Sequence, residues 1–521
     1  MTICKYLLRR KLILATLLLH MAALPAALAQ RGKKAEATQV ASNSAVRTAV
    51  FRTTLPDSPM IALTGGKLLT ITHGVIENGV LVMEHGRITA AGASGSVTIP
   101  ANAKVIDVSG MTVYPGMIDA ESNLGLTEIS AVDMTNDLAE TSDEIMPQMH
   151  VWEAFHAESE LIPVTRYNGI TNAIVSPQPA DTLPGQSSFV QLDGASSDEM
   201  VLVRDIALPL NFTGGERRNS SFDKLKYPST RMGMAAQLRQ AFIDAQDYSK
   251  KRGDWRKKHP GTASDSASPG DEATGDTASV PQSGSAPGEI SERNNSEDRG
   301  SSVPSAGGRT RVAGKSTAKS DDTSAPKRDL KLEALLPYLE GRKPVVLAAE
   351  EPSDVQVAMH LAREFNLKVI LNHVAHSQAV LDYIAAAKIP VIVGPIYATP
   401  KSGERYDAVF SLPAQLYKRG VKIAFASYDS HNARNLPYAA GYAVAFGLPY
   451  DEALRAVTLN AAEIFGVAGE LGSLDAGKQA NVVVANGDPL DVKTEVKQVY
   501  IGGRASSMEN KQTRLRDHYG R

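Results

Sequence analysis

Between Pro344 and Ser430 the chain alternates wholly apolar runs with amphipathic segments, and this alternation restricts the possible folds more than any other feature. The runs PVVLAA, LKVILNH, IPVIVGPI and VKIAFASYDS are separated by PSDVQVAMHLAREFN, SQAVLDYIAAAK and FSLPAQLYKRG. A strand that is apolar throughout must be covered on both faces, as parallel strands flanked by helices are; a half-exposed strand would alternate instead. Pro352-Ser353-Asp354 and Ser377 mark helix starts, and Asn366 and Gly420 mark helix ends. Repeated strand–helix–strand units predict an α/β fold on a parallel sheet, either open or closed into a barrel.

The two ends of the chain read differently. From Ile61 to Val113, short segments such as LLTIT, VLVMEHGRITAAG and VIDVSGMTVYPG are divided by glycines, and Leu81, Met83 and Ile88 alternate as in half-buried antiparallel strands. Similar segments return as NVVVANGDPLD and VKQVYIGGR. Residues 58–114 and 466–507 are therefore expected to close into one small β-sandwich beside a barrel domain spanning 115–465. Within that domain, residues 257–327 contain no Leu, Phe, Tyr or Trp. Such a composition cannot bury enough apolar surface to offset the entropy of ordering, which predicts a disordered insertion. The structured pattern resumes at Asp329-Leu330-Lys331-Leu332.

The N-terminus carries an export signal. Lys5, Arg9, Arg10 and Lys11 precede an apolar run, and Ala27-Leu28-Ala29 forms a small-x-small cleavage pattern. Residues 1–29 read as a signal peptide and 30–57 as an N-terminal extension, so the expected location is periplasmic or secreted. The apolar run is shorter than the ~20 residues a membrane span needs, so no stable anchor is expected after cleavage. The single cysteine, Cys4, lies within the signal. The mature chain thus has no disulfide, no cysteine nucleophile and no cysteine-ligated metal. Cleavage removes four basic residues and no acidic ones, taking the net charge from −2 to −6. No charge block dominates, so no nucleic-acid partner is expected.

Several short motifs occur in a fixed order: Tyr114-Pro115-Gly116-Met117-Ile118-Asp119-Ala120, Asp429-Ser430-His431 with Asn435-Leu436-Pro437-Tyr438, Thr458-Leu459-Asn460-Ala461-Ala462, Gly472-Ser473-Leu474 with Gly477-Lys478, and Gly487-Asp488-Pro489-Leu490. Together they resemble the amidohydrolase superfamily, and more narrowly its imidazolonepropionase-like group, over nearly all of the mature chain except the insertion. The resemblance implies a TIM-like (β/α)8 barrel with a small β-sandwich formed by both chain ends. It also implies metal-assisted hydrolysis at the C-terminal mouth of that barrel, where a bound ion lowers the pKa of water.

Carried over residue by residue, the resemblance makes Asp429 the general base at the end of the final strand. It makes His373 a metal ligand at the end of strand six, with His376 one turn later as a further candidate. His431 and Asn435, in the loop after the final strand, become candidates for substrate contact. The sequence also departs from the family. The expected His-x-His after PGMIDA is Glu121-Ser122-Asn123, the strand-five histidine falls at Ala348 with Glu350 nearby, and MVLVRDIALPLNF ends a strand without a bridging lysine. His373, Glu121, Glu350 and His376 would suit one divalent ion, Zn or, given oxygen-rich ligands, Mn or Mg.

The implied function is a secreted metal-dependent hydrolase of non-peptide carbon–nitrogen bonds in small amides. The alternative is a catalytically silent homologue that binds a ligand or partners another amidohydrolase; a homo-oligomer is compatible with either reading. The PGQSS segment lacks phosphate-loop spacing, and Ser187 and Ser188 lack a G-x-S-x-G context, so neither nucleotide binding nor a serine nucleophile is indicated.

Overall fold

A computed structural model describes residues 58–140, 142–213, 227–228, 230–260 and 325–520. The signal peptide (1–29), the N-terminal extension (30–57) and nearly all of the 257–327 insertion lie outside these residues. The boundary of the insertion shifts, because the helix Arg231–Lys258 continues through Lys257 and Lys258.

Both chain ends build one β-unit, as the glycine-punctuated segments predict. Its strands are β1 (Ile61–Leu69), β2 (Val75–Glu84), β3 (Arg87–Ala93), β4 (Lys104–Asp107) and β5 (Thr112–Pro115) from the N-terminal side. From the C-terminal side come β14 (Val482–Ala485), β15 (Val496–Ile501) and β16 (Arg504–Ala505). All eight join one hydrogen-bonded sheet in which β14 runs antiparallel to β5, pairing Val483 with Tyr114. Alternation puts Ile61, Leu63, Leu81 and Met83 in one apolar cluster and Ala62, Val80 and Val82 in another, so both faces are used.

The second sheet is nearly closed and contains the site. Its strands are β6 (Met117–Ser122), β7 (Ile170–Val175), β8 (Ser187–Gln191), β9 (Val201–Asn211), β10 (Val345–Ala348), β11 (Val369–Asn372), β12 (Val391–Val393) and β13 (Ile423–Phe425). They lie side by side in that order. From β9 to β13 every pairing is parallel, as the wholly apolar runs require. The expectation of a uniformly parallel sheet fails at β8, which is antiparallel to both β7 and β9. The 11 residues between β7 and β8 form no helix. Without a helix to carry the chain back across the sheet, β8 returns as one arm of a wide hairpin.

β6 enters the barrel through Gly116, where the two sheets approach closely. A Cβ there would lie 2.1 Å from Thr171 Oγ1, while the Gly116 N–H donates to Asn481 O at 2.8 Å. Only glycine fits that crossing. The remaining gap in the barrel is bridged by residues past the end of β13. The Tyr428 N–H donates to Glu121 O at 3.0 Å, and Ser122 Oγ donates to Asp429 O at 2.9 Å. The helices Pro352–Glu364, Ala408–Lys418 and Leu436–Ala445 bury Val355, Leu412 and Leu436 in the main core against the sheet. Among the described residues no helix is long and apolar enough to cross a membrane.

Candidate functional site

β6 supplies two carboxylates. Asp119 and Glu121 are two residues apart in a strand, so they share a face, and both are buried. Asp119 has no exposed surface. It accepts hydrogen bonds from the Ser427 N–H at 2.9 Å, the Ser427 hydroxyl at 2.5 Å and the Glu121 N–H at 3.4 Å. Burial pushes its pKa up to about 7; the bonds from Ser427 and Glu121 oppose that shift, and the Glu121 charge adds to it.

Glu121 faces the end of β11. Its Oε2 accepts from Asn372 Nδ2 at 2.5 Å, and its Oε1 lies 3.8 Å from His373 Nε2. That Nε2 is buried and has no hydrogen-bond partner. His373 and Tyr428 both adopt left-handed backbone, at φ 56° and 53°. For a bulky aromatic residue this conformation costs roughly 1–3 kcal/mol and persists only where its surroundings enforce it. The enforcing contacts are visible. The Tyr428 hydroxyl donates to Ile392 O at 3.2 Å and accepts from the His373 N–H at 3.4 Å, and the two rings lie 4.2 Å apart. Desolvation, reinforced by Glu121, pushes the phenol well above its usual pKa, so it stays protonated and donates. Through its hydroxyl and its backbone N–H, this one residue past β13 ties the ends of β6, β11 and β12 together.

Asp429 is placed where the sequence predicts, just past β13, but its carboxylate is already engaged. Oδ1 accepts from the backbone N–H groups of His431 (2.7 Å) and Asn432 (3.0 Å), and Oδ2 accepts from Asn432 Nδ2 (2.9 Å). Burial alone would raise its pKa; the bonds from Asn432 and His431 override it and hold the carboxyl below the usual range. The effect is to shape the following loop. In that loop His431 is exposed with Nδ1 3.1 Å from Ser430 Oγ, and Asn435 Nδ2 donates to Asn432 Oδ1 at 3.3 Å.

His376 and Glu350 form a separate cluster on the rim. His376 Nδ1 lies 2.8 Å from Glu404 Oε2, and its Nε2 lies 3.5 Å from Glu350 Oε1. Lys401 Nζ sits 3.0 Å from that same Glu350 oxygen and also bonds Glu351. Its ammonium is opposed by burial, yet the bonds to Glu351 and Glu350 raise its pKa.

A catalytic zinc site keeps three protein donors aimed at one point. Among the described residues no three His, Asp or Glu side chains converge that way. Glu121 and His373 offer two donors. Both ring nitrogens of His376 face carboxylates, and the Asp429 carboxylate accepts three hydrogen bonds from its own loop. The expected metal set of His373, Glu121, Glu350 and His376 therefore splits into a buried pair and a rim cluster, because the turn after His373 swings His376 toward Glu404. These residues do not fit a resident catalytic metal. β9 likewise ends on Asn211, whose Oδ1 accepts from Thr213, rather than on a lysine.

Sequence reasoning missed three members of the site. Asp119 carried a signal, a carboxylate inside the wholly buried run MIDAES. Tyr428 and Lys401 carried none, since neither a left-handed backbone nor a long-range ion pair leaves a local pattern.

Residues 348–505 match the model of the amidohydrolase family. An amidohydrolase tasK from Hapsidospora irregularis is 23% identical over 445 residues, covering 82% of this chain; the chain spans 40% of that relative's length. The crystal structure of an amidohydrolase from Thermotoga maritima MSB8 superposes with a TM-score of 0.69 at 23% identity, covering 86% of this chain and 99% of the other. That likeness extends the shared fold beyond the matched segment to both sheets.

Proposed function

We propose a hydrolytic role, proceeding from the fact that the chain belongs to the amidohydrolase superfamily. In this reading it is a periplasmic or secreted hydrolase of carbon–nitrogen bonds in small amides, acting at the barrel mouth where β6 and β11 end. One observation carries the reading: Glu121 Oε1 and the unpartnered Nε2 of His373 face each other at 3.8 Å beside a backbone held in a costly conformation. Buried groups without partners are rare and require a reason. A water held by this pair would lose a proton to one of them as its oxygen adds to the amide carbonyl. The same proton would pass to the nitrogen as the C–N bond breaks, yielding acid and amine. Such general-base assistance is worth about 10²–10⁴-fold. Asp429, which accepts three hydrogen bonds from its own loop, acts here as a positioning residue for the loop that presents His431 and Asn435 to the substrate.

The test is hydrolysis of imidazolones, hydantoins and N-acyl amino acids, with chelator and with added Zn or Mn. At least one substrate should be turned over in chelator, with Glu121→Gln and His373→Gln each lowering kcat by about 10²-fold or more and Asp429→Asn acting mainly on KM. Activity that needs added metal, or survives Glu121→Gln, refutes this mechanism. A second reading, a silent homologue acting as a binding or partner subunit, is favoured by the failure of the ligand set to converge. Saturable binding of an amide with no turnover of any substrate would establish it.

A further inference from the structure

Asn372, the last residue of β11, is buried beside the Glu121–His373 pair, and its backbone oxygen accepts from the Ala349 N–H at 3.2 Å, which fixes it against the end of β10. Successive side chains of a strand point to opposite faces, yet Asn372 and His373 both reach Glu121. The left-handed backbone at His373 breaks the alternation and brings the two side chains to one carboxylate. A carboxylate accepts and does not donate, so the amide nitrogen of Asn372 must face Glu121. The oxygen of that amide, Oδ1, is buried and has no hydrogen-bond partner among the described residues. Holding Glu121 uses the nitrogen alone and leaves this acceptor unexplained.

We propose that Asn372 Oδ1 accepts the N–H of the scissile amide, which makes Asn372 a specificity-determining residue and restricts the substrates to amides that keep a hydrogen on that nitrogen. This specificity rests on the hydrolytic reading and adds a substrate class to it. Of the groups that meet in the reaction, the carbonyl oxygen is an acceptor and the water gives its proton to the Glu121–His373 pair, so the nitrogen supplies the donor. Its own hydrogen is kept throughout. The pair passes the water's proton to that nitrogen as the C–N bond breaks, and the nitrogen departs as an amine. As it gains that proton its N–H becomes a stronger donor, so the bond to Oδ1 tightens toward the transition state. An amide whose nitrogen carries no hydrogen, such as an N-acyl proline or an N-methyl amide, leaves Oδ1 without a donor. Sites built around such a bond reject the analogue that lacks it.

The experiment pairs each substrate that is turned over with its derivative methylated on the scissile nitrogen, beginning with N-acetylglycine and N-acetylsarcosine. The parent should favour the N–H member by at least about 10²-fold in kcat/KM. Asn372→Leu keeps the bulk, so any steric exclusion of the methyl group persists, but it removes the acceptor; the preference should fall by about fivefold or more. A residue that only positions Glu121 would slow both members alike. A folded Asn372→Leu that keeps the parent's ratio therefore overturns the proposal and leaves the hydrolytic reading intact, as does a parent that turns over both members equally well. If nothing is turned over, the hydrolytic reading fails separately. Calorimetric binding of N-acetylglycine against N-acetylsarcosine, by parent and variant, then decides the pairing on the same ratios, and binding of neither overturns it. Should far-UV circular dichroism show that Asn372→Leu does not fold, Asn372→Ala takes its place under the same criteria.

Discussion

Asp119 makes the stability of this protein depend on pH in a direction opposite to most carboxylates. In the folded chain its pKa is raised to about 7, chiefly by complete burial; in the unfolded chain it returns to about 3.9. A raised folded pKa means that the folded state holds the proton more tightly. Its contribution is fully present below pH 4 and is lost as pH rises through 7. Treating the site as a single titration, the loss between pH 5 and pH 7.5 comes to about 2–3 kcal/mol. Asp119→Asn keeps the shape and an acceptor for the Ser427 N–H but cannot ionise. Other groups titrate over the same range, so the informative quantity is a difference between proteins. Urea unfolding of parent and variant, followed by circular dichroism at both pH values, should show the variant relatively more stable at pH 7.5 than at pH 5 by that amount. Equal pH dependence of the two proteins, within about 0.5 kcal/mol, would show that Asp119 is ionised without penalty and that the burial argument is wrong.

Two further outcomes follow from the same geometry. Tyr428→Phe leaves Ile392 O and the His373 N–H without the hydroxyl they share, and should cost about 1–3 kcal/mol in urea unfolding. Asp429→Ala removes three accepted hydrogen bonds at a partly exposed carboxylate, so solvent screening limits the cost to about 1 kcal/mol. Because the Asp429 pKa is depressed in the folded state, this cost should be full at neutral pH and fade as the solution is acidified below about pH 4, read by comparing parent and variant.

How far the sequence revealed this arrangement depends on the range over which each feature is encoded. The strands β10 to β13 were legible because continuous apolar runs are a local pattern and their parallel cover follows from it. Asn366 and Gly420 were legible as helix ends for the same reason, and both adopt positive φ, at 51° and 75°. The reversed direction of β8 was not, because a short strand reads the same in either direction. His373 and Asp429 were located correctly by motif, but a motif records position and not which atoms are already bonded. The occupancy of the Asp429 oxygens and the swing of His376 toward Glu404, 28 residues away, are decided by tertiary packing.

The seam between β5 and β14 joins Tyr114 to Val483, and this imposes an order on biogenesis. When the first five strands have been synthesised, β5 still has an open edge that only a segment more than 360 residues later can cover. Until then the edge is a place where another chain can add itself. A chain that stopped short of Val482 would carry a complete set of barrel strands and an uncapped ribbon, which makes late truncations more prone to aggregate than their small size suggests.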